Sequence, residues 1–231
     1  MTGANQGFGY GLTKLLLRRG HEVVMACRNI SAAKTATENI LKWNKSSTGK
    51  LVAMKLDLAD LSSVVEFSKE FEEKYSGRIL KYLVLNAGIV KLSREVSKQG
   101  IELTYQTNHF GGVALFNLLL PRVLLPSKSR VVFVGSLVHA NGKFEIGKSD
   151  LTGVDGPFSG VQYYNNSKLL NSLYAFQVNK RFSQNGITCN SVHPGSGLFT
   201  NLGRGEISCF TRAAVASLLT IFYPVFWLIG N

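Results

Sequence analysis

The sequence predicts a doubly wound α/β domain, in which a parallel sheet lies between two layers of helices. Short apolar runs alternate with amphipathic helical segments along the 231 residues, and such alternation is typical of βαβ units with right-handed crossovers. A glycine-rich turn stands directly before the first helical pattern. No repeat, low-complexity tract or linker divides the chain, so we predict one domain over residues 1–231. Ligands of such a domain bind at the carboxyl ends of the strands.

The turn before the first helix reads Thr-Gly-Ala-Asn-Gln-Gly-Phe-Gly from Thr2 onward, and a periodic helix over 10–19 follows it. Glycines let the backbone approach a ligand closely, while the N–H groups and dipole of the helix attract an anion. We therefore predict a pyrophosphate-binding turn. Its residues are Gly3, Asn5, Gln6, Gly7, Phe8 and Gly9. The spacing differs from Gly-x-Gly-x-x-Gly, so a turn without a ligand is the alternative.

The remaining elements follow from apolar runs and helical periodicity. Strands are predicted at 21–27, 51–58, 79–85, 130–134 and 186–192, and further helices at 31–43, 59–75, 100–123 and 162–182. Arg28 and Asn29 follow the first of these strands. An acidic residue there would bind the ribose of NAD, whereas an arginine accommodates the 2′-phosphate of NADP. We expect NADP in preference to NAD, with a solvated loop charge as the alternative.

Small and polar residues follow the next strands. Asp57 ends the second predicted strand, where its carboxylate suits a bond to the adenine ring or a cap on the following helix. Asn86, Ala87 and Gly88 close the third strand and would let the backbone pass close beneath a cofactor. Ser136 follows the fourth strand at the functional edge of the sheet.

Two helices carry further candidate residues. Tyr164 and Lys168 are four positions apart, so they share one helix face, and the ammonium can stabilise the phenolate. A tyrosine with a pKa below its usual value of roughly 10 transfers protons efficiently near neutral pH. A solvated helix face is the alternative for this pair. Asn108 lies in an apolar stretch, where it is either structural or bends the helix and holds a water.

The composition argues against several classes of function. The formal charge of +12 would suit an anionic partner, but the basic residues are scattered without an arginine-rich run, so we expect no nucleic-acid binding. Cys27, Cys189 and Cys209 are odd in number and lack metal-ligand spacing, which favours a reduced cytoplasmic protein without a metal site. Residues 213–229 carry no charge. We expect them to cover a cleft, with association with the endoplasmic reticulum membrane as the alternative.

The motifs together resemble the short-chain dehydrogenase/reductase family, with matching order and separation over nearly the whole chain. They are Thr2-Gly3-x3-Gly7-x-Gly9, Asn86-Ala87-Gly88, Asn108, Ser136, Tyr164-x3-Lys168 and Pro194-Gly195. Three further strings resemble the retinol-dehydrogenase-like branch and the oxidoreductase domains of WW-domain-containing oxidoreductases. They are Ala26-Cys27-Arg28-Asn29, Asp57-Leu58-Ala59 and His193-Pro194-Gly195. The resemblance implies a Rossmann-like, three-layer α/β/α fold and places Leu58, Pro194 and Gly195 among the cofactor-binding residues.

The resemblance also implies roles for four residues. Tyr164 would be the general acid in carbonyl reduction and the base in alcohol oxidation. Lys168 would hold the nicotinamide ribose and lower the pKa of the tyrosine. Ser136 would bond to the substrate oxygen, and Asn108 would fix a water that returns the proton. The implied reaction is NADP(H)-dependent interconversion of an alcohol and a carbonyl on a hydrophobic, retinoid- or steroid-like substrate.

The sequence departs from the pattern of the family at both of its ends. The family has a buried strand before the glycine turn, whereas only Met1 precedes Thr2 here, so we expect a sheet without its usual first strand. The carboxyl end is also expected to be cut short, and the glycine-rich segment 197–204 would cover the cofactor. A catalytically weak form that acts as a scaffold or regulatory partner is therefore the alternative function. A homodimer through segments 100–123 and 162–182 is a further expectation.

Overall fold

The computed structural model describes residues 1–195. Predictions for segments 197–204 and 213–229, and for Cys209, lie outside the described residues. Within them, strands and helices alternate along the chain and all strand pairs are parallel. This is the predicted doubly wound arrangement.

The first half of the described chain contains three helix–strand pairs. Helices α1, α2 and α3 span Gly7–Arg18, Ile30–Lys42 and Leu61–Lys74, and strands β1, β2 and β3 span Glu22–Cys27, Lys50–Lys55 and Tyr82–Leu85. The predicted strand over 51–58 was too long, because the Asp57 carboxylate accepts a bond from the Ala59 N–H and turns the chain. Helix α3 is capped instead by Asp60, whose Oδ1 accepts a bond from the Ser62 N–H at 3.0 Å.

The second half builds the other side of the sheet. Helices α4, α5 and α6 span Leu103–Tyr105, Gly111–Leu119 and Leu125–Ser127, with π-helical turns at Gln106–Phe110 and Leu120–Leu124 between them. The predicted helical segment over 100–123 thus begins at Leu103 and contains two π-helical turns. Pro121 lies in the second of these turns, where it has no N–H to donate to the helical ladder. Strand β4 spans Arg130–Val134, helix α7 spans Gly160–Phe182, and strand β5 spans Thr188–Val192.

The strands form two parallel groups that meet at Thr2. Strand β1 pairs with β2, and β3, β4 and β5 pair in that order. The Thr2 N–H donates to the Val84 carbonyl at 3.0 Å, and the Gly3 N–H donates to the Ala26 carbonyl at 2.9 Å. Thr2 therefore links β1 to β3 through an isolated bridge, at the place where the family has its first strand. Among the described residues no full strand lies between β1 and β3.

Two apolar clusters hold the helices on the sheet. The larger cluster joins β3, β4 and β5 to helices α3, α5 and α7, and includes Leu83, Phe116 and Phe133. The smaller one packs α1 and α2 against β1 through Leu17 and Met25. Together they fix the carboxyl ends of β1, β3 and β4 along one edge, which carries the candidate site.

Candidate active site

The glycine turn is a tightly packed cradle in front of helix α1. Gly3 and Gly7 have φ values of +61° and +55°, a region that residues with a Cβ rarely adopt. A Cβ placed on Gly9 would lie 2.2 Å from the Gly3 carbonyl oxygen, so this position admits no side chain. The turn therefore needs glycine at each of these places, and its backbone is open to a ligand at close range.

Helix α1 begins with features that suit an anion. Its N-cap residue Gln6 makes no side-chain capping bond, and the first turn contains no acidic residue. The amino-terminal N–H groups and the helix dipole consequently meet no opposing carboxylate from that turn. Asn5 and Phe8 also lie in this segment, and Phe8 is exposed. The pyrophosphate-binding role of this segment stays a prediction.

Asn86 holds the cradle to the end of β3. Its Nδ2 donates to the carbonyls of Thr2 and Gly3 at 3.0 and 3.1 Å, and its backbone N–H donates to the Thr2 hydroxyl at 2.9 Å. The Ala87 N–H donates to the same hydroxyl at 3.0 Å. The side chain of Asn86 is therefore a clamp on the glycine turn.

The end of β1 presents two cations side by side. Arg28 is exposed, and its backbone carbonyl accepts a bond from Lys55 Nζ at 2.5 Å. Lys55 comes from the end of β2, opposite Cys27 in the sheet register. Sequence reasoning missed Lys55, although a basic residue at the end of the neighbouring strand was the available signal. Asn29 caps helix α2, because its side chain accepts a bond from the Ala32 N–H at 2.9 Å. The side chain of Asn29 therefore has a structural role.

Asp57 and Leu58 lie beyond the end of β2. The Asp57 carboxylate caps the turn through the Ala59 N–H at 3.0 Å. The Leu58 carbonyl accepts a bond from Gln106 Nε2 at 3.2 Å and packs against Gly111, where an added Cβ would lie 2.3 Å from that oxygen. Leu58 therefore joins the β2 end to the long helical segment, whereas Asp57 holds the turn that follows β2.

Lys168 is buried, with 4% of its surface exposed, and its Nζ donates to the Val134 carbonyl at 2.8 Å. Its ammonium lies 5.5 Å from the centre of the Tyr164 ring. Burial lowers the pKa of Lys168 to about 8, because the apolar surroundings disfavour the charged form. The lysine is therefore positioned at the end of β4 and loses its proton more easily than an exposed lysine.

Tyr164 and Ser136 lie next to each other at the same edge. Burial raises the pKa of Tyr164, and the hydrogen bond with the Ser136 side chain opposes that rise. The expected lowering of the Tyr164 pKa by Lys168 is not seen, because desolvation of the tyrosine by burial is the largest cause of the shift. The tyrosine is therefore protonated at neutral pH and has a hydrogen-bonding partner for its hydroxyl, as a proton donor requires.

Asn108 is fully engaged by its neighbours. Its side chain exchanges two bonds with the Ile89 backbone, at 2.7 and 2.9 Å, and donates to Ser167 Oγ at 3.1 Å. Its carbonyl accepts a bond from Asn171 Nδ2 at 3.0 Å. A Cβ on Gly88 would lie 3.4 Å from Asn108 Oδ1 and 3.5 Å from Lys168 Nζ, so all three residues meet at one point. The predicted water-holding role of Asn108 stays a prediction.

Two histidines stand near Ser136. His139 Nδ1 is 2.6 Å from the Ser136 carbonyl, and burial and His139 together lower the pKa of His193. His193 follows β5 and precedes Pro194 and Gly195, and Gly195 has a φ of +87°. Sequence reasoning gave no role to these histidines or to Ser167 and Asn171, whose partners are distant in sequence.

The predicted residues thus fall into two neighbouring groups along one edge of the sheet. The cradle at the β1 and β3 ends suits a dinucleotide, and the Ser136, Tyr164 and Lys168 group at the β4 end can hold a carbonyl oxygen and donate a proton to it. Within residues 1–195, no group of three or more His, Cys, Asp or Glu side chains is arranged to hold a metal ion.

The family model for short chain dehydrogenase matches residues 1–147 of the chain. The chain belongs to the short-chain dehydrogenase family. The predicted family and the Rossmann-like fold are thereby confirmed.

Curated relatives of this chain include a WW domain-containing oxidoreductase and a retinol dehydrogenase. The WW domain-containing oxidoreductase of Gallus gallus is 38% identical over 212 residues, which make up 88% of this chain and 50% of that protein. Retinol dehydrogenase 13 of Homo sapiens is 30% identical over 230 residues, or 99% of this chain and 66% of that protein. The chain thus spans about half the length of the WW domain-containing oxidoreductases that it matches.

Solved structures agree with the fold. The crystal structure of an uncharacterized protein from Mycobacterium Paratuberculosis has a TM-score of 0.71 and 30% sequence identity, and the match covers 96% of this chain and 74% of that one. A short-chain dehydrogenase from Sphingobium yanoikuyae in complex with NADPH has a TM-score of 0.69 at 21% identity, covering 90% and 74% of the two chains. The second likeness shows the shared fold alone.

Proposed function

We propose that this chain is an NADP(H)-dependent oxidoreductase that interconverts an alcohol and a carbonyl on a hydrophobic substrate. One observation carries the proposal: buried Lys168 lies at the end of β4 with its ammonium 5.5 Å from the centre of the Tyr164 ring, on the same sheet edge as Ser136 and the glycine cradle. A proton donor and an anion-binding turn on one edge of the sheet suit a bound dinucleotide and an adjacent carbonyl.

The chain's own residues would divide the chemistry between them. Ser136 and Tyr164 would bond to the carbonyl oxygen, and the Tyr164 hydroxyl would deliver a proton to it. When bound, the nicotinamide cofactor supplies the hydride to the carbonyl carbon. Lys168 would hold the ribose and, as a cation, stabilise the phenolate that remains, so the proton can be replaced through a neighbouring donor. In alcohol oxidation each of these transfers runs in reverse.

The choice of NADP over NAD rests on charge at the β1 end. Arg28 is exposed there, Lys55 is bonded to its carbonyl, and the sequence has no carboxylate at this position. Two cations attract the additional phosphate of NADP, whereas NAD binding normally uses an acidic residue at this point. The complex with NADPH formed by the Sphingobium yanoikuyae protein is consistent with this choice.

The proposed substrate class is retinoid- or steroid-like. Support comes from relatives named retinol dehydrogenase 13 of Homo sapiens and retinol dehydrogenase 11 of Mus musculus, at 30% and 35% identity. An apolar pocket distinguishes such substrates weakly, because one methylene changes discrimination by only about 1–3 kcal/mol. A panel of all-trans-retinal, a ketosteroid and a small polar ketone would therefore define the class by relative kcat/KM.

Binding of the cofactor tests the proposal directly. Titration with NADPH and NADH, followed by cofactor fluorescence, should show tighter binding of NADPH. Arg28→Glu should weaken NADPH binding by at least about tenfold, since it replaces attraction with repulsion at the phosphate. Arg181→Glu, the same charge change at the far end of α7, is the matched control and should leave the affinity unchanged. Equal affinity of wild type and Arg28→Glu for NADPH would refute the assignment.

A scaffold with weak catalysis is the second candidate. Among the described residues, the Met1–Gly3 segment is the connection between β1 and β3. Tyr164→Phe separates the two functions, because it removes the proton donor and keeps the ring. Loss of turnover with this variant supports the enzyme, whereas absent turnover in the wild type together with unchanged partner binding supports the scaffold.

Dimerisation and cellular location are further parts of the proposal. Pairing of two copies through α5 and α7 stays a prediction, and Leu173 and Phe176 on α7 are 54% and 70% exposed. No helix in residues 1–195 is long and apolar enough to cross a bilayer. Cytoplasmic location, with peripheral membrane association as the alternative, likewise stays a prediction.

A further inference from the structure

A buried polar pair joins helix α7 to the first π-helical turn, beside Asn108. His109 Nδ1 lies 2.9 Å from Asn171 Oδ1, and Asn171 Nδ2 lies 3.0 Å from the Asn108 carbonyl oxygen. His109 and Asn171 are almost fully enclosed, with 7% and 1% of their surfaces exposed. Burial of two polar side chains costs desolvation that apolar residues would avoid, so the pair points to a specific role.

The chemistry of the three groups fixes which atom donates in each bond. The Asn108 carbonyl can only accept, so Asn171 must turn its NH2 group toward it. The amide oxygen of Asn171 therefore faces His109, and this oxygen also can only accept. The Nδ1 atom of His109 must then carry a hydrogen. Burial lowers the pKa of His109, so at pH 7 the ring is neutral and has the Nδ1–H tautomer.

The Asn108 carbonyl belongs to an irregular part of its helix. In this π-helical turn the Gly111 N–H donates to the Gln106 carbonyl, five residues earlier, instead of four as in an α-helix. Asn171 bonds to a backbone carbonyl of the same turn from a different helix. Its NH2 group therefore ties the π-helical turn to α7, the helix that carries the candidate proton donor.

Asn108 itself connects α7 with the loop that follows β3. Its side chain exchanges two bonds with the Ile89 backbone and donates to Ser167 Oγ on α7. A Cβ placed on Gly88 would lie 3.4 Å from Asn108 Oδ1 and 3.5 Å from Lys168 Nζ. A displacement of Asn108 would therefore disturb both the loop and the surroundings of Lys168.

We propose that Asn171 and His109 are positioning residues of the active site. His109 orients the amide of Asn171, and that amide holds the Asn108 backbone. The Asn108 side chain consequently keeps its bonds to the loop after β3 and to α7. The pair thereby fixes the cofactor side of the site relative to the helix face of Tyr164 and Lys168. This role rests on the function proposed above and adds to it two residues that lie outside both groups of the site.

Isosteric substitutions separate positioning from simple packing. Asn171→Asp keeps the shape of the side chain and the acceptor for His109, but an oxygen replaces the NH2 group that bonds to Asn108. Asn179→Asp is the matched control on the same helix. Asn179 accepts a bond from the Cys189 N–H at 2.7 Å and donates to the Cys189 carbonyl. The control therefore also loses one bond to a backbone carbonyl, at a position near the other end of α7.

Hydrogen exchange of the Ile89 amide reports the position of Asn108 without any turnover. The Ile89 N–H donates to Asn108 Oδ1 at 2.7 Å. Asn171→Asp should speed exchange of this amide by at least about tenfold, because local opening becomes easier. The Lys143 amide, which a different side chain of α7 holds at 2.6 Å, is the internal control and should not change. Asn179→Asp should leave both amides at the wild-type rate.

Steady-state kinetics tests the link to catalysis. Asn171→Asp should lower kcat for carbonyl reduction by about 10- to 100-fold, since a misplacement of about 1 Å can have an effect of that size. The Kd for NADPH should change much less, because the glycine cradle is intact. Asn179→Asp should lose a similar free energy of unfolding in urea and keep the wild-type kcat. A general loss of stability would not produce this split.

His109 is tested by rescue and by its own ring. In His109→Asn the side-chain NH2 group can replace the Nδ1–H donor, whereas His109→Leu has no donor. The kcat and the protection of the Ile89 amide should be largely kept in His109→Asn and lost in His109→Leu. The imidazole 15N resonances of wild type, assigned by their loss in His109→Asn, should show the Nδ1–H tautomer at pH 7.

Three results would overturn the proposal. The first is the same exchange rate of the Ile89 amide in wild type and Asn171→Asp. The second is an Nε2–H tautomer of His109. The third is an equal loss of kcat in Asn171→Asp and Asn179→Asp, which would reduce Asn171 to a structural residue.

The proposed function can fail separately from the positioning role. Wild type without turnover would refute the function, whereas the Ile89 exchange rate and the His109 tautomer would still decide whether the pair positions Asn108. If Asn171→Asp does not fold, the two His109 variants and the wild-type tautomer decide the question.

Discussion

Replacement of Lys168 by methionine should change how the stability of the fold depends on pH. Methionine keeps an unbranched chain of similar size and removes the buried ammonium. Burial lowers the pKa of Lys168 from its ordinary 10.5 to about 8, and this difference corresponds to roughly 3 kcal/mol at about 1.4 kcal/mol per pH unit. The charged lysine therefore costs the folded state about that much at pH 7.

The sign of the pH effect follows from proton binding. Between pH 8 and pH 10.5 the unfolded lysine holds a proton and the folded one does not, so wild-type stability gains from rising pH. The variant lacks this gain. The loss of the donor to the Val134 carbonyl, at 2.8 Å, costs the variant about 1–3 kcal/mol at every pH. The stability difference at one pH is therefore ambiguous, and its change with pH is the informative quantity.

Urea unfolding at pH 7, 8, 9 and 10 measures this change. The free energy of unfolding of wild type should rise relative to Lys168→Met by roughly 3 kcal/mol between pH 7 and pH 10. Lys180→Met, at an exposed position of the same helix, is the control and should follow wild type across the range. Parallel curves for wild type and Lys168→Met would refute the desolvation of Lys168.

Four further substitutions test the cradle, the first turn of α1 and a buried carboxyl group. Gly9→Ala should lower the free energy of unfolding by at least about 1–3 kcal/mol and abolish NADPH binding, because its Cβ would lie 2.2 Å from the Gly3 carbonyl oxygen. Gly11→Ala, with nothing within 4 Å of its Cβ, should be neutral or stabilising in the same urea titration. Asn86→Ala removes the bonds to Thr2 and Gly3, so we expect a loss of about 1–3 kcal/mol and weaker NADPH binding, and unchanged binding would contradict the clamp. Glu102→Gln should stabilise the fold at pH 7 and make no difference at low pH, since burial raises the pKa of Glu102 and the ionised form costs stability above that pKa. Thermal unfolding at pH 4 and pH 7 would show this, and a destabilised variant at both would contradict it.

Much of the fold was predictable because its signals are local. The β4 strand was predicted with the same bounds that the structure has, since Arg130–Val134 is an apolar run closed by Gly135 and Ser136. The glycine turn and the four-residue spacing of Tyr164 and Lys168 likewise depend only on nearby positions. Local periodicity could not show the two π-helical turns that interrupt the predicted helix over 100–123.

The site was harder to predict because side-chain partners are distant in sequence. Asn86 clamps Thr2 across 84 positions, and Lys55 reaches Arg28 across 27. Asn29 lies in a string that predicted cofactor binding, but its side-chain oxygen Oδ1 caps helix α2. The pKa of Tyr164 was expected to fall because a cation is near, whereas burial, which the sequence does not quantify, raises it. These contacts require the packed structure.

Transfer of deuteride from labelled NADPH to all-trans-retinal, compared between wild type and Tyr164→Phe, tests the central claim most directly. The account predicts deuterium in the retinol product of wild type, and a loss of about 10²–10⁴ in kcat for the variant with NADPH affinity retained. Turnover by Tyr164→Phe at the wild-type rate would contradict the assignment of Tyr164 as the proton donor.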